Sequence, residues 1–144
     1  MVNALIVDLD GTLALNVTGR EFFGEGYERH VYEDDVNPIV NRVINSLFGD
    51  GTVDQVLFVS ARAEVGRAET TRWLRDKAGW WANPSILLMR PDDDYRHAPE
   101  VKYEIWKNHI KDKHTVLLAL DDDPEVVAMW RSMDIPCWQV RDYQ

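Results

Sequence analysis

Asp8 and Asp10 stand one residue apart where the apolar run "ALIV" meets a Gly11-Thr12 turn. Side chains at i and i+2 of an extended segment point the same way, so both carboxylates are expected to project together from the end of a strand. Two like charges that close resist joint ionisation. That points to a cation between them, chemistry on one of them, or both. Other polar groups share the placement. "QVLFVSAR" ends in Ser60 and Arg62, and "TVLLALDDD" ends in Asp121, Asp122 and Asp123. Lys102 lies near the start of a helical pattern that precedes the latter run. Clustered carboxylates suit Mg²⁺, a hard cation that takes oxygen ligands. A hydroxyl, a lysine and an arginine suit phosphoryl oxygens. Together they describe metal-dependent phosphoryl transfer.

Each residue also has an ordinary structural role to weigh. Asp-Gly after a strand is a common turn. Asp123 precedes Pro124 and is read as a helix cap in preference to a metal ligand. Ser60 is able to close its strand by bonding local backbone, and a single Lys such as Lys102 is by default a surface residue. His30, His97, His109 and His114 lack ligand spacing and are expected to be exposed or helix-terminal. The tryptophans are mostly at core spacing. Coincidence accounts for any one of the polar positions, but poorly for their order and shared edge.

The elements that must position these groups are legible. Five apolar runs have strand length: "ALIVDLD", "QVLFVSAR", "SILLMR", "TVLLALDDD" and "IPCWQV". The central ones do not alternate with polar residues, as expected of parallel strands covered on both faces. Helical patterns lie between them. One has Asn37 as cap, Pro38 next, a stripe of Val40, Val43, Ile44 and Leu47, and Gly49 as a stop. A second places Ala68, Thr71 and Leu74 on one stripe and ends at Gly79. A third starts at Pro99 with Val101, Ile105 and Trp106 inward, and a fourth starts at Pro124 with Val126, Val127, Trp130 and Met133 inward. Strand alternating with helix implies right-handed crossovers and one α/β domain over 1–144, with a doubly wound parallel sheet. In such sheets ligands bind outside the carboxyl ends of the strands. Residues 13–36, rich in Gly, aromatics and charge, read as a small cap or lid inserted after the first strand.

Composition narrows the partners. The chain has 144 residues and a net charge of −9, which disfavours a broad, sequence-blind nucleic-acid groove. Contact with one strand end or one nucleotide remains compatible with that charge. No apolar run approaches the ~20 residues of a membrane span, and no signal peptide is visible. The single cysteine, Cys137, fits a reducing, cytoplasmic setting.

"DLDGT", "VSAR", Lys102 and "LALDDD" resemble, in order, the four motifs of the haloacid dehalogenase (HAD) superfamily of phosphatases, whose core is Rossmann-like. A closer resemblance, carried by Gly19-Arg20, "NPIV", "TTRWL", "YRHAPEVKYEIWKNHI", "VVAMWR" and "CWQV", is to the 3′-phosphatase domain of phage-type polynucleotide kinase-phosphatase. No Gly-x4-Gly-Lys-Ser/Thr kinase loop accompanies it, so the sequence reads as the phosphatase module alone.

The resemblance implies Mg²⁺-dependent removal of a 3′-phosphate from a nucleic-acid end or nucleotide through an aspartyl phosphate. Asp8 would be the nucleophile and Asp10 the general acid and base, its pKa raised by anionic neighbours. Asp8, the Asp10 backbone carbonyl, Asp122 and, through water or orientation, Asp121 would hold the metal. Ser60, Lys102 and the Thr12 backbone would hold phosphoryl oxygens, with Arg62 on substrate phosphate and Arg20 on substrate phosphate or backbone. One of Phe22, Phe23, Tyr27 and Tyr32 is a candidate for base stacking, although cap core is the preferred role for them. Ala98 stands where that family carries an acid, so Arg62 is expected to pair with Asp92, Asp93 or Asp94. Expected partners are a 3′-phosphorylated DNA or RNA end or nucleotide and a separate kinase or ligase, with no membrane. The alternatives are a small-molecule nucleotidase on the same scaffold and a phosphorylatable receiver domain. The receiver reading is disfavoured because no middle strand ends in Asp.

Overall fold

A computed structural model describes residues 1–81 and 85–141. Five parallel strands form one sheet: β1 (Val2–Val7), β4 (Gln55–Ala63), β5 (Ser85–Arg90), β6 (His114–Asp121) and β7 (Cys137–Gln139). Their order is β5-β4-β1-β6-β7. The chain lays β4 and β5 on one side of β1, then returns to lay β6 and β7 on the other. The connections reverse between β1 and β6, which is where doubly wound sheets open a ligand crevice. The register pairs Val7 with Leu120, so Asp8 and Asp121 leave adjacent strands side by side.

Both faces of the sheet are apolar because both are covered. Leu5 and Val7 of β1 face one core with Val56 and Phe58, packed against Val40 and Ile44 of α1 (Pro38–Gly49) and Trp73 of α2 (Arg67–Trp73). Ala4 and Ile6 face the other core, with Val101 and Ile105 of α3 (Ala98–Ile105) and Val126, Val127 and Trp130 of α4 (Pro124–Ser132). Alternation with period two thus reads as a continuous apolar run. The caps fall as expected: Asn37 accepts the Ile39 and Val40 amides, and Asp123 accepts that of Glu125 at 2.9 Å.

Several details depart from the sequence reading. The buried stripe of α2 is Thr70, Trp73, Leu74 and Ala78, while Ala68 and Thr71 are exposed. Beyond Trp73 the helix continues in wider π turns over Leu74–Ala78. The Trp73 indole, donating to the Asp34 carbonyl at 2.8 Å, takes the inward position. Helix α1 runs through Gly49, and the turn beyond it uses Gly51 at φ 81. His114 is buried, bonding Gln55 at 2.6 Å, because it begins β6 inside the sheet. Trp73, Trp80 and Trp130 are core, whereas Trp81 and Trp138 are exposed.

Residues 13–36 form an excursion bounded by a two-stranded antiparallel pair, β2 (Ala14–Leu15) with β3 (Asp35–Val36). It encloses a 3₁₀ helix, Tyr27–Glu33. Tyr27 and Val31 are buried, and the Tyr27 hydroxyl donates to the Ala63 carbonyl at 2.7 Å, pinning the excursion to the end of β4. Phe22 and Phe23 stay exposed.

Candidate active site

The chain stops being extended at Asp8. Residues 9–14 form a tight turn: the Thr12 and Ala14 amides both donate to the Leu9 carbonyl, and Gly11 at φ 84 adopts a conformation open to glycine. Beyond Asp8 the i, i+2 rule no longer applies, and the two carboxylates, though both on the wall of one cleft, take different partners. Asp8 joins one charged cluster and Asp10 another.

The first cluster is acidic. Asp8, Asp121 and Asp122 are all buried, with ligand oxygens within 4.8 Å of one another. Lys102, 2% exposed and so not the surface residue a lone lysine usually is, reaches between two of them. Its Nζ donates to Asp8 Oδ1 at 2.8 Å and to Asp121 Oδ2 at 2.7 Å. The Thr12 hydroxyl lies 2.8 Å from Asp8 Oδ2 and 3.2 Å from Asp122 Oδ1, so its single proton is shared between them. Burial disfavours the Lys102 ammonium, but Asp121 and Asp8 outweigh it and hold its pKa well above the ordinary lysine range. Burial, then the neighbouring Asp8 charge, push Asp121 up to about 7 against the pull of Lys102. One ammonium among three carboxylates leaves negative charge on hard oxygen donors at close range. That donor set fits a divalent cation such as Mg²⁺.

The second cluster is balanced. Arg62 Nε and Nη2 donate to Asp10 at 3.0 and 2.8 Å, Nη2 also reaches Asp34 at 3.0 Å, and Nη1 meets Thr70. Arg20 forks onto Asp34 at 2.8 and 2.6 Å and bonds Asp10 at 2.8 Å. Burial favours the neutral carboxyl of Asp10, but Arg62 and then Arg20 outweigh it and hold its pKa below the usual range. The sequence reading expected anionic neighbours to raise that pKa. The turn gives Asp10 cationic neighbours instead.

The sequence-predicted residues divide accordingly. Asp8, Thr12, Lys102, Asp121 and Asp122 meet in the acidic cluster, and Asp10, Arg20 and Arg62 meet in the arginine cluster. Ser60 is buried, and its hydroxyl oxygen accepts the Arg62 amide at 3.1 Å. Asp123 caps α4. Arg62 does not turn to Asp92 or Asp94, which accept the Val65 amide and pair with Arg96, respectively. Its second carboxylate is Asp34, fully buried and absent from the sequence reading. The available signal was indirect: two arginines bound for a buried edge require more than one carboxylate.

A cleft of about 1530 Å³ opens over both clusters, with Asp8, Asp10, Arg62, Lys102, Asp121 and Asp122 on its wall. The family model for the polynucleotide kinase PNKP phosphatase domain matches residues 2–144. The chain belongs to that family. A chain in a solved Pnkp1/Rnl/Hen1 complex is similar at a TM-score of 0.85 and 32% identity, covering 99% of this chain and 48% of that one. A chain in a Pnkp1/Rnl/Hen1 RNA repair complex gives 0.84 and 33%, covering 96% of this chain and 42% of that one. The chain thus spans about half the length, or less, of these solved relatives. Membership of the PNKP phosphatase-domain family makes residues 2–144 a phosphatase domain and places its α/β core among HAD folds.

Proposed function

We propose that this phosphatase removes a 3′-phosphate from a nucleic-acid end or nucleotide, with Mg²⁺, through an aspartyl phosphate on Asp8. The observation that carries the reading is the buried Asp8–Asp121–Asp122 cluster threaded by Lys102, at the crevice of a PNKP-family phosphatase core. Asp8, Asp122 and the Asp10 backbone carbonyl would hold the metal, with Asp121 a ligand through water or an orienter. The metal would supply charge screening for attack by one anion on another.

The chain's own groups account for the remaining steps. Lys102 holds Asp8 Oδ1 and the Thr12 hydroxyl holds Oδ2, which fixes the carboxylate on the cleft wall; one of these oxygens would be the nucleophile. As that oxygen bonds to phosphorus, the bond to the leaving alcohol breaks and Asp10 supplies its proton. Asp10 is ionised while only arginines face it; the incoming phosphate dianion raises its proton affinity. Asp10 then takes a proton from water, which attacks phosphorus and frees Asp8. Lys102 and Thr12, beside Asp8, would also hold phosphoryl oxygens, whereas Arg20 and Arg62 position Asp10. Residues 13–36 act as a small cap over the cleft. The relatives sit in Pnkp1/Rnl/Hen1 assemblies, which supports a separate kinase or ligase as partner here.

The test is phosphate release from matched 3′- and 5′-phosphorylated oligonucleotides, in EDTA and after Mg²⁺ is restored. The 3′-phosphate is expected to be released only with the metal. Full activity in chelator removes the metal from the mechanism. Equal or faster 5′ hydrolysis moves the assignment to a nucleotidase.

A further inference from the structure

The cleft is far larger than a phosphate requires. It runs from the acidic cluster out to Phe22 and Phe23 of the excursion and to Tyr95, in the loop between β5 and α3. Its lining carries more carboxylates than cations, so its outer reach does not attract a long run of phosphodiesters. A nucleobase face carries no net charge and stacks on aromatic rings regardless of sequence.

Tyr95 is 88% exposed, so its ring contributes almost nothing to the core. The backbone on both sides of it is nevertheless fixed. Arg90 Nη1 donates to the carbonyl of Asp94 at 3.0 Å and to that of Arg96 at 2.5 Å, while its Nε donates to the Ala61 carbonyl at 2.8 Å. The Asp94 carboxylate takes the Arg96 amide at 3.1 Å and the Arg96 guanidinium at 2.7 Å. Asp92 accepts the Val65 amide at 2.8 Å, tying the loop to the segment after β4. Ordering a loop around a residue that buries nothing costs conformational entropy without return inside the fold. A ring carried on a fixed backbone and left open to the cleft has less freedom to lose on meeting a ligand than one on a loose loop.

We propose that Tyr95 stacks on a nucleobase at the substrate's 3′ end, making it a recognition residue for base-bearing substrates. The inference rests on the nucleic-acid-end reading above. It is tested by steady-state kinetics of the full chain on a 3′-phosphorylated trinucleotide and on the same trimer with abasic tetrahydrofuran residues. The wild type is expected to show a KM about tenfold lower for the base-bearing trimer. Tyr95→Ala brings that KM ratio close to one with kcat little changed, and Tyr95→Phe and Tyr95→Trp preserve it. An intact ratio in Tyr95→Ala overturns the proposal. So does loss of the ratio in Tyr95→Phe, which would assign the effect to the hydroxyl. If the wild type hydrolyses both trimers equally, stacking falls while the phosphatase reading stands. If it hydrolyses neither trimer but cleaves other phosphomonoesters, the nucleic-acid reading falls and the stacking proposal with it.

Discussion

Asp8 and Asp10 lie in one turn, yet their surroundings are opposite. Asp8 shares one lysine with Asp121 beside a third carboxylate. Asp10 is gripped by two arginines that a second carboxylate, Asp34, holds together. The acidic cluster has negative charge to spare and so invites a cation and an electrophile. The arginine cluster is self-neutralising and holds its carboxylate still. The difference arises where the chain leaves the extended state, since a straight strand would have put both side chains in one field.

The strongest way to break the comparison is to neutralise each carboxylate in turn. Asp8→Asn is expected to lower kcat by roughly 10⁴-fold or more, because the proposed mechanism forms its bond to phosphorus through that carboxylate. Asp10→Asn is expected to lower it by about 10²- to 10⁴-fold. With a good leaving group, only Asp10→Asn should accumulate a hydroxylamine-sensitive phosphoenzyme, scored by ³²P trapping. A labelled Asp8→Asn protein would put the nucleophile elsewhere.

Asp34→Asn tests the arginine cluster alone. Removing one partner of a buried ionic group leaves uncompensated charge and costs about 3–5 kcal/mol. Urea unfolding should show that loss. Turnover should fall as well, with its pH profile displaced, because Asp10 loses the geometry its two arginines impose. A variant of unchanged stability would mean that Arg20 and Arg62 find water in place of Asp34.

Much of this was legible in the sequence, for identifiable reasons. Strands β1, β4 and β6 are apolar on both faces, and helices α1 and α4 carry Asn37-Pro38 and Asp123-Pro124 at their starts. Those are local signals, and they place Asp8, Lys102, Asp121 and Asp122 at one sheet edge. The pairing of Arg20 with Asp34, and of Arg62 with Asp34 28 residues away, leaves no local periodicity to read. The different partners of Asp8 and Asp10 depend on a turn at Gly11, and the inward face of α2 depends on Trp73 meeting the distant Asp34 carbonyl. The loop that carries Tyr95 leaves no periodic signal either, because Arg90 reaches three main-chain carbonyls, which any sequence possesses.

Metal binding sharpens the comparison with a smaller effect. Mg²⁺ at about a hundred times its dissociation constant should stabilise the native protein by about 2.7 kcal/mol, seen as a rise of several degrees in Tm. Asp122→Asn, in the acidic cluster, should abolish most of the rise. Asp34→Asn, in the other cluster, should retain it despite a lower starting Tm. If both variants lose it equally, the two clusters act as one.

The smallest effect concerns alkaline pH. Burial, opposed by Arg62 and assisted by Asp10, pushes the Tyr27 hydroxyl up to about 12. In the unfolded chain a tyrosine ionises near 10. The native state therefore holds this proton more tightly, and its contribution is full below about pH 10 and is lost as pH rises toward 12. Cys137, also pushed up to about 12 by burial first, adds a decline that begins at lower pH. Tyr27→Phe should cost about 1 kcal/mol near neutrality through the lost bond to Ala63, yet flatten the fall in urea midpoint between pH 10 and 11. Because Arg62 and Asp10 both act on Tyr27, the slope also reports on the arginine cluster. In Asp34→Asn, a loosened Arg62 should move the pH at which the decline ends, since its onset is set by the unfolded tyrosine near 10, and an unmoved end point would mean that Tyr27 senses only its own burial.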